Sequence, residues 1–253
     1  MKIFRKQRQQ LAADSNVVKY LRYAFGEIIL VVIGILIALQ VNNWNEQHKT
    51  NQRINNALAE IHDDLVLDRT VLKDHIAVLK GDLTAQKNVI DTLEQKRPFT
   101  PQTYRDLGRV MLMRRIELNN NGYGLLKELG ISHIKDPVLR NALVNYYGSK
   151  TTVLLNDIED NQLEFETPWL GYVRQHFKVF VFGKRAVPSD DNQIRNSSYF
   201  LMMLKMNLDN RGSTLKAEIS TLKADSTLRE LIDSKLNLKH ASYIQKHAPK
   251  TRH

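Results

Sequence analysis

A chain of 253 residues is long enough for one sizeable core, and the absence of cysteine excludes disulfides and thiol chemistry. The net charge of +10 invites a nucleic-acid reading, but its placement argues against one. Residues 1–22 hold Lys2, Arg5, Lys6, Arg8, Lys19 and Arg22 against Asp14 alone, and Lys235, Lys239, Lys246, Lys250 and Arg252 stand at the other end without an acid, so the body between them is close to neutral.

The first element is the most informative. Ile28 to Val41 contains no charge, and Gln40 is its only strongly polar residue. With Ala24 to Gly26 ahead of it, the stretch approaches the ~20 apolar residues that a spanning helix needs. Tyr20 and Tyr23 on one side and Trp44 on the other are aromatic residues of the kind that sit at the headgroup level. Glu27 lies about one helical turn inside Tyr23, roughly 6 Å deep at ~1.5 Å per residue. It either snorkels to the interface or is protonated, or it contacts a partner helix. Gly34 and Ala38 form a small-xxx-small pair that permits close helix approach. Leu39-Gln40-Val41-Asn42 lacks the small residues of a cleavage site, so an uncleaved signal anchor is expected. The positive N-terminal flank places that end in the cytoplasm and the bulk of the chain outside, which in a bacterium is the periplasm.

From Asn43 to Lys96 there is no proline, and Gly81 is the one glycine. Ile54, Leu58, Ile61, Leu65, Leu72, Ile76, Leu79, Leu83, Ile90 and Leu93 recur at helical spacing, with Asp68 and Gln86 occupying two stripe positions. The spacing predicts a long helix, either continuous with the anchor or broken near Gln47 to Asn51, whose stripe other helices or a second copy must cover. Pro98 and Pro101 end it, and Thr100 caps a short helix from Pro101 to about Met113. A further helix is expected over Gly122–Leu129, stopped by Gly130. Asp136 and Pro137 start the next, carrying Leu139, Leu143, Tyr146 and Tyr147, with Leu154 and Ile158 extending it. Phe165, Trp169, Tyr172 and His176 then recur at four-three-four spacing. Such a stripe is more often core than a ligand pocket, and both readings are kept. Lys178 to Asn196 reads as an extended stretch and loop without a hairpin, since no second strand is evident. Ser197 caps a last helix to Leu236, whose buried face is expected at Met203, Leu204, Leu208, Leu215, Ile219, Leu222, Leu228, Leu231 and Ile232.

The fold class is therefore all-α: a basic segment (1–22), a transmembrane anchor (23–44), a helical bundle led by a long, coiled-coil-like helix (45–236), and a basic tail (237–253). No zinc-binding HExxH, P-loop, GxSxG or GxGxxG occurs. His62, Asp63, Asp64 and Asp68 make the densest polar cluster and read as a solvated face, not a metal site. His240, His247 and His253 lie in the basic tail without acidic neighbours. No cofactor, metal or catalytic residue is expected.

Two stretches carry a resemblance. Tyr23-Ala24-Phe25-Gly26-Glu27-Ile28 through Asn42-Asn43-Trp44-Asn45-Glu46 resembles the start of a family of uncharacterised single-pass membrane proteins common in Bacteroidota. Tyr123, Leu126, Gly130, Ile134 and Asp136, followed by Leu139-Arg140, Leu143 and Tyr146-Tyr147, resembles the middle of the same family, with Pro137 as a departure. The resemblance implies one N-terminal span and a helical remainder, and it supplies no activity. It also implies that Glu27 and Asn43-Trp44-Asn45 are shaped by function. The expected function is a membrane-anchored helical module that binds an envelope protein or a second copy of itself. A periplasmic sensory domain, with the Phe165–His176 face as its pocket, is the alternative.

Overall fold

The computed structural model describes the backbone of residues 17–236 and the side chains from Leu21 onward. The basic segment 1–16, the Tyr20 side chain and the tail 237–253 with its three histidines lie outside the described residues. The chain divides into two units, residues 1–54 and 55–253. Helix α1 (Val17–Glu94) contributes to both, and its hydrogen bonding runs unbroken through Gln47 to Asn51, where a break was one expectation.

In the first unit the apolar residues of α1 face outward. The most apolar 18-residue window has a mean hydropathy of 2.5, and none of it is buried. Leu30 is 71% exposed, and Tyr23 and Trp44 are also exposed. This helix is long and apolar enough to cross a membrane. Trp44 stacks on His48, with ring centroids 5.8 Å apart.

In the second unit the expected stripe of α1 is buried. Leu58, Ile61, Leu65, Leu72, Leu79, Leu83, Ile90 and Leu93 all lie inside, and other elements of the same unit cover them. Thr100 caps α2 (Pro101–Leu107) through a reciprocal box with Thr103. α2 ends six residues before the expected Met113. Beyond it a turn over residues 108–111 closes at Met111, whose φ is +52°, and residues 112–120 carry no regular secondary structure. α3 (Asn121–Leu129) ends at Gly130, with φ +93°. Asp136 caps α4 (Pro137–Asn145) by accepting from the Val138 and Leu139 amides at 2.8 and 3.3 Å.

α4 continues into α5 (Thr151–Glu164) through a π-turn at Tyr146–Lys150, and α5 into α6 (Leu170–His176) through a second at Phe165–Trp169. The second π-turn contains Pro168, so the wider i→i+5 turn occurs where proline's missing N–H interrupts the α-pattern.

A hairpin follows, contrary to the sequence reading. β1 (Phe177–Val181) pairs antiparallel with β2 (Arg185–Pro188), in register Val179 with Val187 and Val181 with Arg185. β2 has four residues and ends in proline, too little for an alternation pattern to register. Tertiary support compensates: Gly183, at φ +67°, turns the chain and donates its N–H to the Gly108 carbonyl at 2.8 Å, and the Gly108 Cα lies against the Arg185 backbone. α7 (Asp191–Arg195) and α8 (Ser198–Leu236) complete the unit, with Ser197 Oγ accepting from the Phe200 amide at 3.1 Å. Apart from the hairpin the described residues form an all-α architecture with a long leading helix.

The main apolar cluster joins Val89, Ile90 and Leu93 of α1 to Leu107, Trp169, Tyr172, Ala186, Ile194, Phe200 and Leu204. Trp169 is fully buried. Its ring stacks near Phe200 at 6.0 Å and meets Phe177 and Phe180 edge-on at 6.0 and 5.9 Å. Two members of the proposed pocket stripe, Trp169 and Tyr172, therefore fill the core. Phe165 packs at its edge, and the His176 ring lies 4.3 Å from that of Tyr172.

Candidate functional site

The densest chemistry in the second unit lies where α8 meets α1, and it is polar. α8 buries Phe200, Leu204, Asn207, Arg211, Thr214, Glu218, Thr221, Asp225, Leu228 and Ile232. These residues follow the four-three spacing of an antiparallel helix seam, but the middle six are polar. The expected apolar face is corrected accordingly: Ile219 is 47% exposed, and Leu208, Leu215 and Leu222 are only half-buried beside the seam. The periodicity was present in the sequence. Its polarity hid it, because a polar stripe ordinarily faces water.

The physical reason is that α1 supplies partners for Asn207, Arg211, Glu218 and Asp225, while Thr214 accepts from Asn161 and Thr221 donates to the Lys150 carbonyl. Going up α1 and down α8, His62 Nε2 meets Asp233 Oδ1 at 3.1 Å, Arg69 Nη1 meets Asp225 Oδ1 at 3.2 Å, and His75 Nδ1 meets Glu218 Oε1 at 2.5 Å. Arg211 Nη2 then reaches Asp82 Oδ2 at 3.5 Å, and Gln86 Nε2 donates to Asn207 Oδ1 at 3.2 Å. A slip by one residue would misalign all of these pairs. Burying charge is costly unless it is paired, so the seam specifies register more than it adds stability.

Two nodes are especially well connected. Asp82 is fully buried. Its Oδ1 accepts from Arg109 Nε and Nη2, both at 2.9 Å, and its Oδ2 faces Arg114 Nε and Arg211 Nη2, both at 3.5 Å. Arg211 is itself buried, and desolvation pulls its pKa down to about 10 against the opposing pull of Asp82. It remains charged at neutral pH. Gln86 donates to the Leu204 carbonyl and to Asn207, and accepts from the Met111 amide at 3.1 Å and Arg211 Nη1 at 3.2 Å. That amide contact helps hold Met111 in its left-handed conformation, which costs a non-glycine residue about 1 kcal/mol or more.

The cluster at His62, Asp63, Asp64 and Asp68 is not a solvated face as a whole. Asp64 and Asp68 are buried. Asp64 accepts from the Gly122 amide at 3.0 Å. Asp68 Oδ1 accepts from the Asn119 amide and side chain, both at 2.8 Å, and its Oδ2 from the Tyr146 hydroxyl at 3.0 Å. These carboxylates pin Asn119, the start of α3 and the first π-turn to α1. Burial nevertheless outweighs these bonds and raises the Asp68 pKa. Burial likewise pushes Asp225 up to about 6, against the bond from Arg69 and the charge of Arg229. Tyr146 and Tyr147 are held neutral by burial first and by the nearby aspartates second.

A recess of about 30 Å³ lies beside the Asp82 node, lined by His75, Asp82, Arg114, Asn161, Arg211 and Thr214 among others. That volume suits about one water and is far below that of a metabolite pocket. Among the described residues no group of three or more His, Asp or Glu side chains is arranged to hold a metal ion.

Residues 27–102 match the model of a family of unknown function, DUF6090. No curated protein and no solved structure matches the chain. The matched stretch holds α1 from Glu27 onward, including the apolar run and the whole α1 side of the seam. α8, the stripe at Phe165–His176 and the resemblance noted at Tyr123–Tyr147 lie outside it.

Proposed function

We propose that this protein is a single-pass, signal-anchored protein of the bacterial inner membrane, with residues 23–44 as the span. The N-terminus then lies in the cytoplasm, and residues 45–236 form a periplasmic module. The observation that carries this reading is the outward-facing apolar stretch of α1, whose most apolar window has no buried residue. A soluble protein does not leave such a surface to water. The basic residues at 1–22 support the orientation, because Lys and Arg flanks are retained in the cytoplasm. The membrane-facing partner is the lipid bilayer itself, with Tyr23 and Trp44 at its two interfaces.

The module is read as non-enzymatic, serving attachment to another envelope protein or to a second copy. Gly34 and Ala38 support a helix contact within the membrane, since two small residues four apart on one face let a second helix approach closely. The long stripe of α1 no longer argues for self-association, because residues of its own chain cover it. The aromatic stripe likewise gives the sensory alternative no support.

Topology is tested by fusing a reporter that is active only outside the cytosol to the C-terminus. Activity in intact cells is expected. An inactive fusion, or release of the native protein without detergent, would refute the placement. Crosslinking in membranes then tests association, and Gly34→Leu is expected to lower the yield of any crosslinked species.

A further inference from the structure

Three groups in the α1–α8 seam share one shortage. His75 places Nδ1 against Glu218 Oε1 at 2.5 Å and Nε2 against the Arg114 carbonyl at 3.2 Å. His62 places Nδ1 against Asp63 Oδ1 at 3.3 Å and Nε2 against Asp233 Oδ1 at 3.1 Å. All four contacts are to acceptors, and a neutral imidazole has only one N–H to give. Both rings are therefore fully matched only as imidazolium. Asp225 repeats the pattern without a histidine. It is fully buried, its Oδ1 takes the bond from Arg69, and its Oδ2 has no protein partner. The buried Tyr147 hydroxyl has none either. The charged and titratable groups around Asp225 are Asp68 and Arg69 on α1, Tyr146 and Tyr147 on the π-turn, and Arg229 on α8 itself. The second carboxylate, Asp68, is also fully buried, whereas Arg69 is about one-third exposed. A proton on Asp225 removes one of two buried like charges and creates an O–H donor where acceptors are in excess.

We propose that the α1–α8 seam is a proton-operated clasp, in which His62, His75 and Asp225 hold the C-terminal half of α8 on α1 in mild acid and release it as the pH rises. The three groups span α8 from Glu218 to Asp233, so one proton at each level acts on the same contact. The Asp82–Arg211 and Gln86–Asn207 levels need no added proton and stay closed. The opening is therefore local, confined to α8 beyond about Thr214.

The sign follows from linkage. A carboxyl whose folded pKa lies above its unfolded value stabilises the closed form below the unfolded value, and this stability is lost as the pH rises through the folded one. With Asp225 moved from 3.8 to about 6, the closed-to-open ratio falls about tenfold between roughly pH 5 and 8 from this group alone.

The test is hydrogen exchange on the full chain in detergent micelles at about pH 5 and pH 8, corrected for the intrinsic pH dependence of exchange. Protection over residues 218–236 should fall at least tenfold at the higher pH, while the β1–β2 hairpin stays unchanged. Asp225→Asn should remove about tenfold of that difference, and His75→Gln should reduce the remainder. Equal protection at both pH values, or higher protection at pH 8, overturns the proposal. If Asp225→Asn does not fold, carboxyl-carbon NMR of the native chain with labelled aspartate decides the matter. The carboxyl assigned to Asp225 should titrate near pH 6, and its titration below about pH 5 overturns the proposal.

Discussion

Asp82→Ala probes the most heavily used carboxylate among the described residues. Four guanidinium contacts converge on Asp82, two of them from Arg109 at 2.9 Å. Arg109 and Arg114 are about 40% exposed and can turn their charge to water when the carboxylate is lost. Arg211 cannot: its side chain is 5% exposed, and it would keep only the hydrogen bond to Gln86 and the charge of Glu218. Breaking a buried pair from one side costs about 3–5 kcal/mol, because the stranded charge stays desolvated. For a protein of this size each kcal/mol moves Tm by about 2–4 °C, so a drop of roughly 10–15 °C is expected. Removing both charges behaves differently. In Asp82→Leu with Arg211→Leu no charge is stranded, and the double variant should lie within about 2 kcal/mol of the parent. The assay is thermal unfolding of the detergent-solubilised chain followed by circular dichroism, with the two single variants completing the cycle. Near-additive losses, or a single Asp82→Ala variant as stable as the parent, would refute the claim that Asp82 and Arg211 are a matched buried pair.

Trp169→Ala should cost about 3–5 kcal/mol, because the ring is fully buried among Tyr172, Phe177, Phe180 and Phe200. A ligand-pocket residue would lose little stability, so an unchanged Tm would restore the sensory reading of that stripe. Gly122→Ala tests the close approach of α3 to α1. The added Cβ would meet the Ile61 backbone nitrogen at 2.5 Å, which forces the helices apart and costs about 1–3 kcal/mol in chemical denaturation. The same change at Gly124, whose Cβ would meet nothing within 4 Å, is the control and should be neutral or slightly stabilising.

The helix starts at Thr100 and Asp136, the stop at Gly130 and the cap at Ser197 were all legible, because capping is local: the side chain and the amide it bonds are two or three residues apart. The α1 stripe was legible for the same kind of reason, since Leu58 to Leu93 alternates at helical spacing with polar residues between. Asp68 and Gln86 looked like flaws in that stripe. They are its most connected positions, but their partners lie at Asn119, Tyr146, Asn207 and Arg211, between 51 and 125 residues away.

The apolar run of α1, the absence of cysteine and the basic first 22 residues are properties of composition and order, and the sequence alone settles them. Nothing about a partner is needed to know that Ile28 to Val41 is uncharged and almost wholly apolar. What tertiary structure decided was which residues of α8 turn inward and whether β1 has a strand to pair with. A buried polar side chain is favourable only if a complementary group stands opposite it, and a four-residue strand forms only if a neighbour holds it. Both conditions depend on chain segments that are remote in sequence, so single-helix periodicity chose Leu208, Leu215 and Ile219 where the structure buries Arg211, Glu218 and Asp225.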